Sequence, residues 1–240
     1  MKAIILAGGK GTRLRPITLE IPKPLITVKR RPIINYLIEM FQHHGVTETK
    51  IVIRPEDREE FRWWKKRWGE MMSGMDISFA EEPEPMGTIG YWVHELKNWT
   101  GSEPFFYTNG DELKEIDLTE MKKIHETNEA LATLALVEVE RPEEYGVAVL
   151  EGSIITHFLE KPENPPSNLI SGGLYLFDPK VIDHISEEKR NNPFLMAEQD
   201  LFPNLANIGK LTAYKAKGRW YDCGSLERWE KAINEWSRES

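Results

Sequence analysis

The chain has 240 residues, 40% of them hydrophobic, which is enough to bury a core of ordinary size and lies within the range of one α/β domain. Its 39 acidic against 31 basic side chains give a formal charge of -8, so nucleic acid is not an expected partner, and any polyanionic ligand must be held by a local cluster of cations. A single cysteine, Cys223, excludes an intrachain disulfide framework and fits a reducing, cytoplasmic setting; the apolar start "MKAIILAGG" is too short for a signal peptide, and no run approaches the roughly 18 residues of a membrane span.

Short β-branched or aromatic runs at 2–7, 50–54, 76–81 and 104–108 alternate with helical patterns at 32–44, 56–68, 87–99 and 117–128, the signature of parallel strands joined by crossover helices. The rhythm then changes. Strands are expected at 131–138, 147–150, 154–160 and 170–177 with brief connections, a mixed or antiparallel portion laid against the first sheet. Asp178 and Pro179 read as an N-cap and N1 pair opening a helix, Ser225 as the cap of the last one, and "ENPPSN" at 163–168 as an exposed loop. In the 56–68 helix Phe61, Trp64 and Trp68 share one face, which reads as core packing with a subunit interface as the alternative, so a homo-oligomer stays open. Cys223 reads as a buried packing residue, since nothing supplies a partner thiol.

Chemistry concentrates in the opening stretch "LAGGKGTRLRPIT…PKPL". A dinucleotide fingerprint would need a third glycine or alanine near Leu14, and the spacing of a Walker A loop is absent. The physical logic of a phosphate loop survives nonetheless: Gly8, Gly9 and Gly11 let backbone N–H groups approach phosphate oxygens, and Arg13 supplies a planar fork for them. Two prolines stiffen the chain on either side of Lys23 and reduce the entropy lost in presenting its ammonium.

This stretch resembles the signature of the sugar-phosphate nucleotidylyltransferases, which join a nucleoside triphosphate to a sugar 1-phosphate and release pyrophosphate. Further segments agree with that family in order: "EEPEPMGTIG" at 81–90, "NGD" at 109–111, "EYGV" at 144–147, "FLEKP" at 158–162, "SGGLYLFDP" at 171–179 and "WYDCGS" at 220–225. The resemblance, nearest to guanylyltransferases acting on mannose 1-phosphate, implies a Rossmann-like three-layer α/β/α fold of the GT-A-like type with a mixed, mainly parallel central sheet. It implies one domain over 1–240, with a nucleotide-binding half to about 130 and a sugar-phosphate-binding half from about 131, and no C-terminal β-helix domain. It also implies a nucleoside triphosphate and a sugar 1-phosphate as partners, Mg²⁺ as cofactor, and no membrane partner.

Carried over residue by residue, the resemblance places Leu6, Ala7, Gly8, Gly9, Gly11, Thr12, Arg13, Glu82, Gly87 and Thr88 around the nucleotide. Arg13, Lys23 and Asp111 become the catalytic set, and Asp111 and Asp222 the metal ligands, although taken alone Asp111 reads more readily as a turn residue and Asp222 as a helix-capping acid. Tyr145, Gly146, Glu160, Lys161, Gly173 and Tyr175 fall to the sugar phosphate, with Lys161 on its phosphate and the Glu160 carboxylate suited to neighbouring hydroxyls. Guanine presents N1–H and N2–H₂ side by side, which the carboxylate of Glu82 can accept in bidentate fashion, provided that the paired acids Glu81 and Glu82 do not both face solvent. Glu112 departs from the family's pattern, in which a neutral or apolar side chain is common at that place. A uridylyl-, thymidylyl- or cytidylyltransferase acting on glucose, heptose or another sugar phosphate is the alternative within enzymes; a catalytically silent nucleotide-sugar sensor is the alternative outside them.

Overall fold

The apolar run after Met1 forms the strand Lys2–Leu6, with Ala3, Ile4 and Ile5 fully buried, as a strand covered on both faces must be. The computed structural model describes residues 1–237. Chain proximity divides it into two compact units, each assembled from separated stretches: one from residues 3–84, 108–116 and 218 onward, the other from 1–2, 85–107 and 117–217.

In the first unit the strand order is Asp76–Glu81, Glu48–Ile53, Lys2–Leu6. The first two run parallel in register from Glu48↔Asp76 to Ile53↔Glu81. Helix Ile33–His43 buries Ile33, Ile34, Leu37, Ile38 and Phe41, and helix Arg58–Trp68 buries Phe61 and Trp64. Trp64 donates its indole N–H to Asn35 Oδ1 at 2.7 Å, while Trp63, off the apolar stripe, is 67% exposed. Of the stripe expected from helical spacing, Phe61 and Trp64 are core, while Trp68 is only half-buried. A two-strand ribbon completes this unit: Glu112–Lys114 pairs antiparallel with Trp220–Asp222, so that Trp220↔Lys114 and Asp222↔Glu112 face each other. Leu113 and Cys223 lie beneath it in a core with Leu14, Val28, Tyr36 and Trp236. Three-residue strands leave no readable periodicity, and neither was expected from sequence.

In the second unit the strand order is Phe105–Asn109, Leu169–Phe177, Ala132–Glu138, Leu211–Lys215, Ile154–Glu160, Gly146–Glu151. Leu211–Lys215 runs parallel to Ala132–Glu138 and antiparallel to Ile154–Glu160. Leu169–Phe177 is antiparallel to Ala132–Glu138, and Ile154–Glu160 to Gly146–Glu151, the mixed portion expected after residue 130. An antiparallel pairing of Ile170 with Val147 closes five of these strands on themselves. Closure uses register shifts between Ser171 and Tyr175 and between Ile155 and His157, because an extra residue bends the strand that carries it. Trp92, Phe105, Tyr107 and Phe177 are buried against one another, with the Trp92 and Phe177 rings stacked at 5.5 Å.

Caps fall where short polar residues precede apolar runs. Asp117 accepts from Thr119 and Glu120 N–H at 3.0 Å, and Ser225 Oγ accepts from Arg228 N–H. Asp178 accepts from Lys180 N–H at 2.8 Å, but the element it opens is a 3₁₀ run, Pro179–His184, rather than an α-helix. The expected 87–99 helix starts late: residues 87–89 turn, and Trp92–Leu96 is wound as a π segment ahead of Lys97–Thr100. Among the described residues no helix is long and apolar enough to cross a membrane.

Candidate active site

The glycine loop leaves the Lys2–Leu6 strand at a backbone bond from Ala7 N–H to Val52 O (2.8 Å) and winds into the single turn Thr12–Leu14. Gly11 has φ +59°, and a Cβ there would lie 2.6 Å from Thr18 Cγ2, while Thr18 Oγ1 donates to the Gly11 carbonyl at 2.7 Å. Both the left-handed backbone and the close approach demand glycine. Gly11→Ala is expected to cost about 1–3 kcal/mol in urea unfolding, and a change below about 0.5 kcal/mol would show that the loop does not need glycine there.

Around the loop the first unit gathers charge. Lys23, in the 3₁₀ turn Lys23–Leu25, is buried and pairs with the Asp111 carboxylate, which is 30% exposed. Asp222 Oδ1 accepts from Gly224 N–H at 2.6 Å, and its Oδ2 pairs with Arg228. A Cβ at Gly224 would lie 2.6 Å from Asp222 Oδ1 and 3.3 Å from Arg13 Nη2, so Arg13 and Asp222 share one side of that glycine. The Cys223 N–H donates to the Asp111 carbonyl at 3.4 Å, which links the two aspartates through the backbone. Arg13, Lys23, Asp111 and Asp222, far apart in sequence, thus meet in one unit. Glu82 completes the group: its Oε2 would be 3.2 Å from a Cβ on Gly8, whereas Glu81 is held by Arg58, whose hydrogen bond lowers the glutamate's pKa. Burial pushes the Cys223 thiol up to about 12, as suits a packing residue.

Glu112, beside Asp111, is buried and its charge is compensated. Lys114, with no exposed side-chain surface, donates to Glu112 Oε2 at 2.8 Å and to Thr108 Oγ1 at 3.0 Å; Trp220 Nε1 and Asn109 Nδ2 supply further donors. Burial raises the Glu112 carboxyl against the lowering effect of Lys114, and Asp111 and Asp222 push it the same way as burial. The departure seen in sequence is a satisfied ion pair. Lys114, two positions on along the strand and on the same face, was its signal.

The second unit gathers the remaining candidates. Glu160 pairs with Gly146 across the strands, and Gly146 lies against the Phe158 ring and Glu160 Oε2. Lys161, at φ +46°, donates its N–H to the Tyr145 carbonyl at 3.0 Å and carries an exposed ammonium 3.3 Å from Glu160. Gly173 sits in the irregular stretch between Ser171 and Tyr175, and the Tyr175 hydroxyl reaches Glu198 Oε1 at 3.5 Å. Thr88, expected near the nucleotide, donates to Glu198 Oε2 at 2.7 Å and accepts from Ala197 N–H; Gly87, at φ +79°, packs on the Leu195 carbonyl.

Glu198, which no sequence motif announced, is thus where Thr88 and Tyr175 converge. Burial raises its pKa above the ordinary 4.5, with the nearby Glu160 charge adding to the effect and the Thr88 hydrogen bond opposing it. A carboxyl whose folded pKa is raised contributes stability that is full below about 4.5 and is lost as pH rises through the folded value. Glu198→Gln removes that slope, so its melting temperature should rise relative to wild type between about pH 4 and pH 8; a constant difference would show that Glu198 has an ordinary pKa.

The sequence profile of the nucleotidyl transferase family matches residues 2–239. The mannose-1-phosphate guanyltransferase beta-A of Xenopus laevis is 36% identical over 227 residues, covering 93% of this chain and 61% of the relative. Mannose-1-phosphate guanyltransferase 2 of Candida glabrata is 35% identical over 231 residues with the same coverage, so the chain spans about three fifths of the length of these relatives. A crystal structure of UDP-glucose pyrophosphorylase complexed with UDP-glucose superposes with a TM-score of 0.82 at 27% identity, covering 97% of each chain. With a family match running through both groups of site residues and a shared α/β fold, this chain is a member of the nucleotidyl transferase family.

Proposed function

We propose that this chain is the catalytic domain of a sugar-1-phosphate nucleotidylyltransferase, with GTP and mannose 1-phosphate as its substrates. The observation that carries the reading is the gathering of the glycine loop, Arg13, Lys23, Asp111 and Asp222 in one unit of an acidic protein. A phosphate oxygen of the sugar 1-phosphate attacks the α-phosphorus, the bond from that phosphorus to the bridging oxygen breaks, and pyrophosphate leaves with the electron pair. A triphosphate of about four negative charges and a monoester of nearly two repel each other, so catalysis rests on positioning and neutralisation.

In this reading the backbone of Leu6, Ala7, Gly8, Gly9, Gly11 and Thr12, with Gly87 and Thr88, carries the nucleotide, and Arg13 takes the β- and γ-phosphates. Lys23 faces the α-phosphorus, and Glu82 accepts the paired N–H groups of guanine. Tyr145, Gly146, Glu160, Gly173 and Tyr175 hold the hexose, and Lys161 its phosphate. Glu198 joins this set through Thr88 and Tyr175. Two carboxylates, both with some exposure and both already paired with cations, fit a hard divalent ion that keeps waters and takes one or two carboxylates plus phosphate oxygens. Bound by Asp111 and Asp222, Mg²⁺ would neutralise phosphate charge. A cytoplasmic location suits the single buried thiol of Cys223.

A uridylyl-transfer reading on glucose 1-phosphate is favoured by the likeness to UDP-glucose pyrophosphorylase. A pyrophosphate-release matrix decides between them, crossing ATP, GTP, CTP, UTP and dTTP with mannose, glucose, galactose, heptose and N-acetylated sugar 1-phosphates under Mg²⁺. GTP with mannose 1-phosphate is expected to give the highest kcat/KM. Silence in every combination would sink the enzymatic reading and leave the nucleotide-sugar sensor.

A further inference from the structure

Arg228 has no part in the transfer reaction as proposed, and its position is unusual for its chemistry. It is the third residue of helix Leu226–Glu235, the N3 position of a helix capped by Ser225. N3 is where a capping box places Glu or Gln, and the positive end of the helix dipole disfavours a cation in the first turn. Helix stability therefore does not explain an arginine there. What offsets the unfavourable placement is Asp222, whose Oδ2 pairs with Arg228 Nη1 while Oδ1 is taken by Gly224 N–H. Both members of the pair are sheltered, with side chains 24% and 12% exposed, so the interaction is less screened than a surface pair. Asp222 also stands opposite the buried Glu112 in the ribbon, and Arg13 lies across Gly224, so the carboxylate is set among charges of both signs.

We propose that Arg228 is a positioning residue that competes with the divalent cation for Asp222 and so sets the metal concentration at which the site fills. The inference rests on the reading of Asp222 as a metal ligand. Both Asp222 oxygens are already engaged, Oδ1 by Gly224 N–H and Oδ2 by Arg228, so an ion arriving at this carboxylate meets the guanidinium's positive charge at close range. Metal binding therefore works against the guanidinium charge, whether Arg228 stays on Asp222 or moves aside, and Arg228 holds Asp222 in its site geometry before the ion arrives.

The test is Mn²⁺ binding to the nucleotide-free chain, followed by the electron paramagnetic resonance signal of the unbound ion, for wild type, Arg228→Ala, Arg228→Lys, Asp222→Asn and the double variant. Thermal unfolding checks that each is folded. Arg228→Ala is expected to bind Mn²⁺ at least about fivefold more tightly than wild type, the scale of one sheltered ion pair. Arg228→Lys, which keeps the charge but not the planar fork, should fall between them. If Arg228→Ala and Arg228→Lys bind the ion no more tightly than wild type while Asp222→Asn weakens binding, competition is wrong although Asp222 remains a ligand. If Asp222→Asn changes nothing in either background, the metal reading of Asp222 fails and the competition with it.

Discussion

Lys23→Ala is expected to lower kcat/KM for pyrophosphate release by about 10²–10³-fold, the range found when one preorganised electrostatic donor is removed from an active site. The size follows from how the ammonium is held. Lys23 is buried, braced by a proline on either side and paired with Asp111 on a neighbouring stretch of chain, so in the proposed reaction it would meet developing phosphate charge with little reorganisation. Water that replaces it must reorganise. Lys23→Arg should recover only part of the loss, since a planar fork does not reproduce a compact ammonium. Asp111 keeps access to solvent, so folding should survive; a variant that melts near wild type and turns over at wild-type rate would remove Lys23 from the catalytic set.

Lys114→Met should destabilise the fold by about 3–5 kcal/mol, the cost of leaving a buried charge without its partner. Lys114 has no exposed side-chain surface, and its ammonium is divided between Glu112 and Thr108. Without it the Glu112 carboxyl, already raised by burial, stands beside Asp111 and Asp222 with no adjacent cation on its strand. For a chain of this size the melting point should fall by roughly 6–20 °C. Adding Glu112→Gln should return part of that stability, because a neutral amide needs no counter-charge. A single variant within about 1 kcal/mol of wild type in urea would show that Glu112 is held by Trp220 and Asn109 rather than by charge.

Sequence determined more of this protein where information is local. The apolar run 2–7 had to be a covered strand, Phe61 and Trp64 at helical spacing had to share a buried face, and Asp178 and Ser225 had to cap, because period and capping are set within a few residues. The glycine loop was legible for the same reason: a left-handed turn and close packing restrict residue type at fixed spacing. Tertiary structure alone decided what depends on partners distant in the chain. The ribbon that joins residues 112–114 to 220–222 sets Arg228 on Asp222, the closure of five strands brings Ile170 to Val147, and Glu198 unites Thr88 with Tyr175. None of these has a local periodicity, since the energy that selects them comes from pairing charges and closing backbone bonds across many tens of residues.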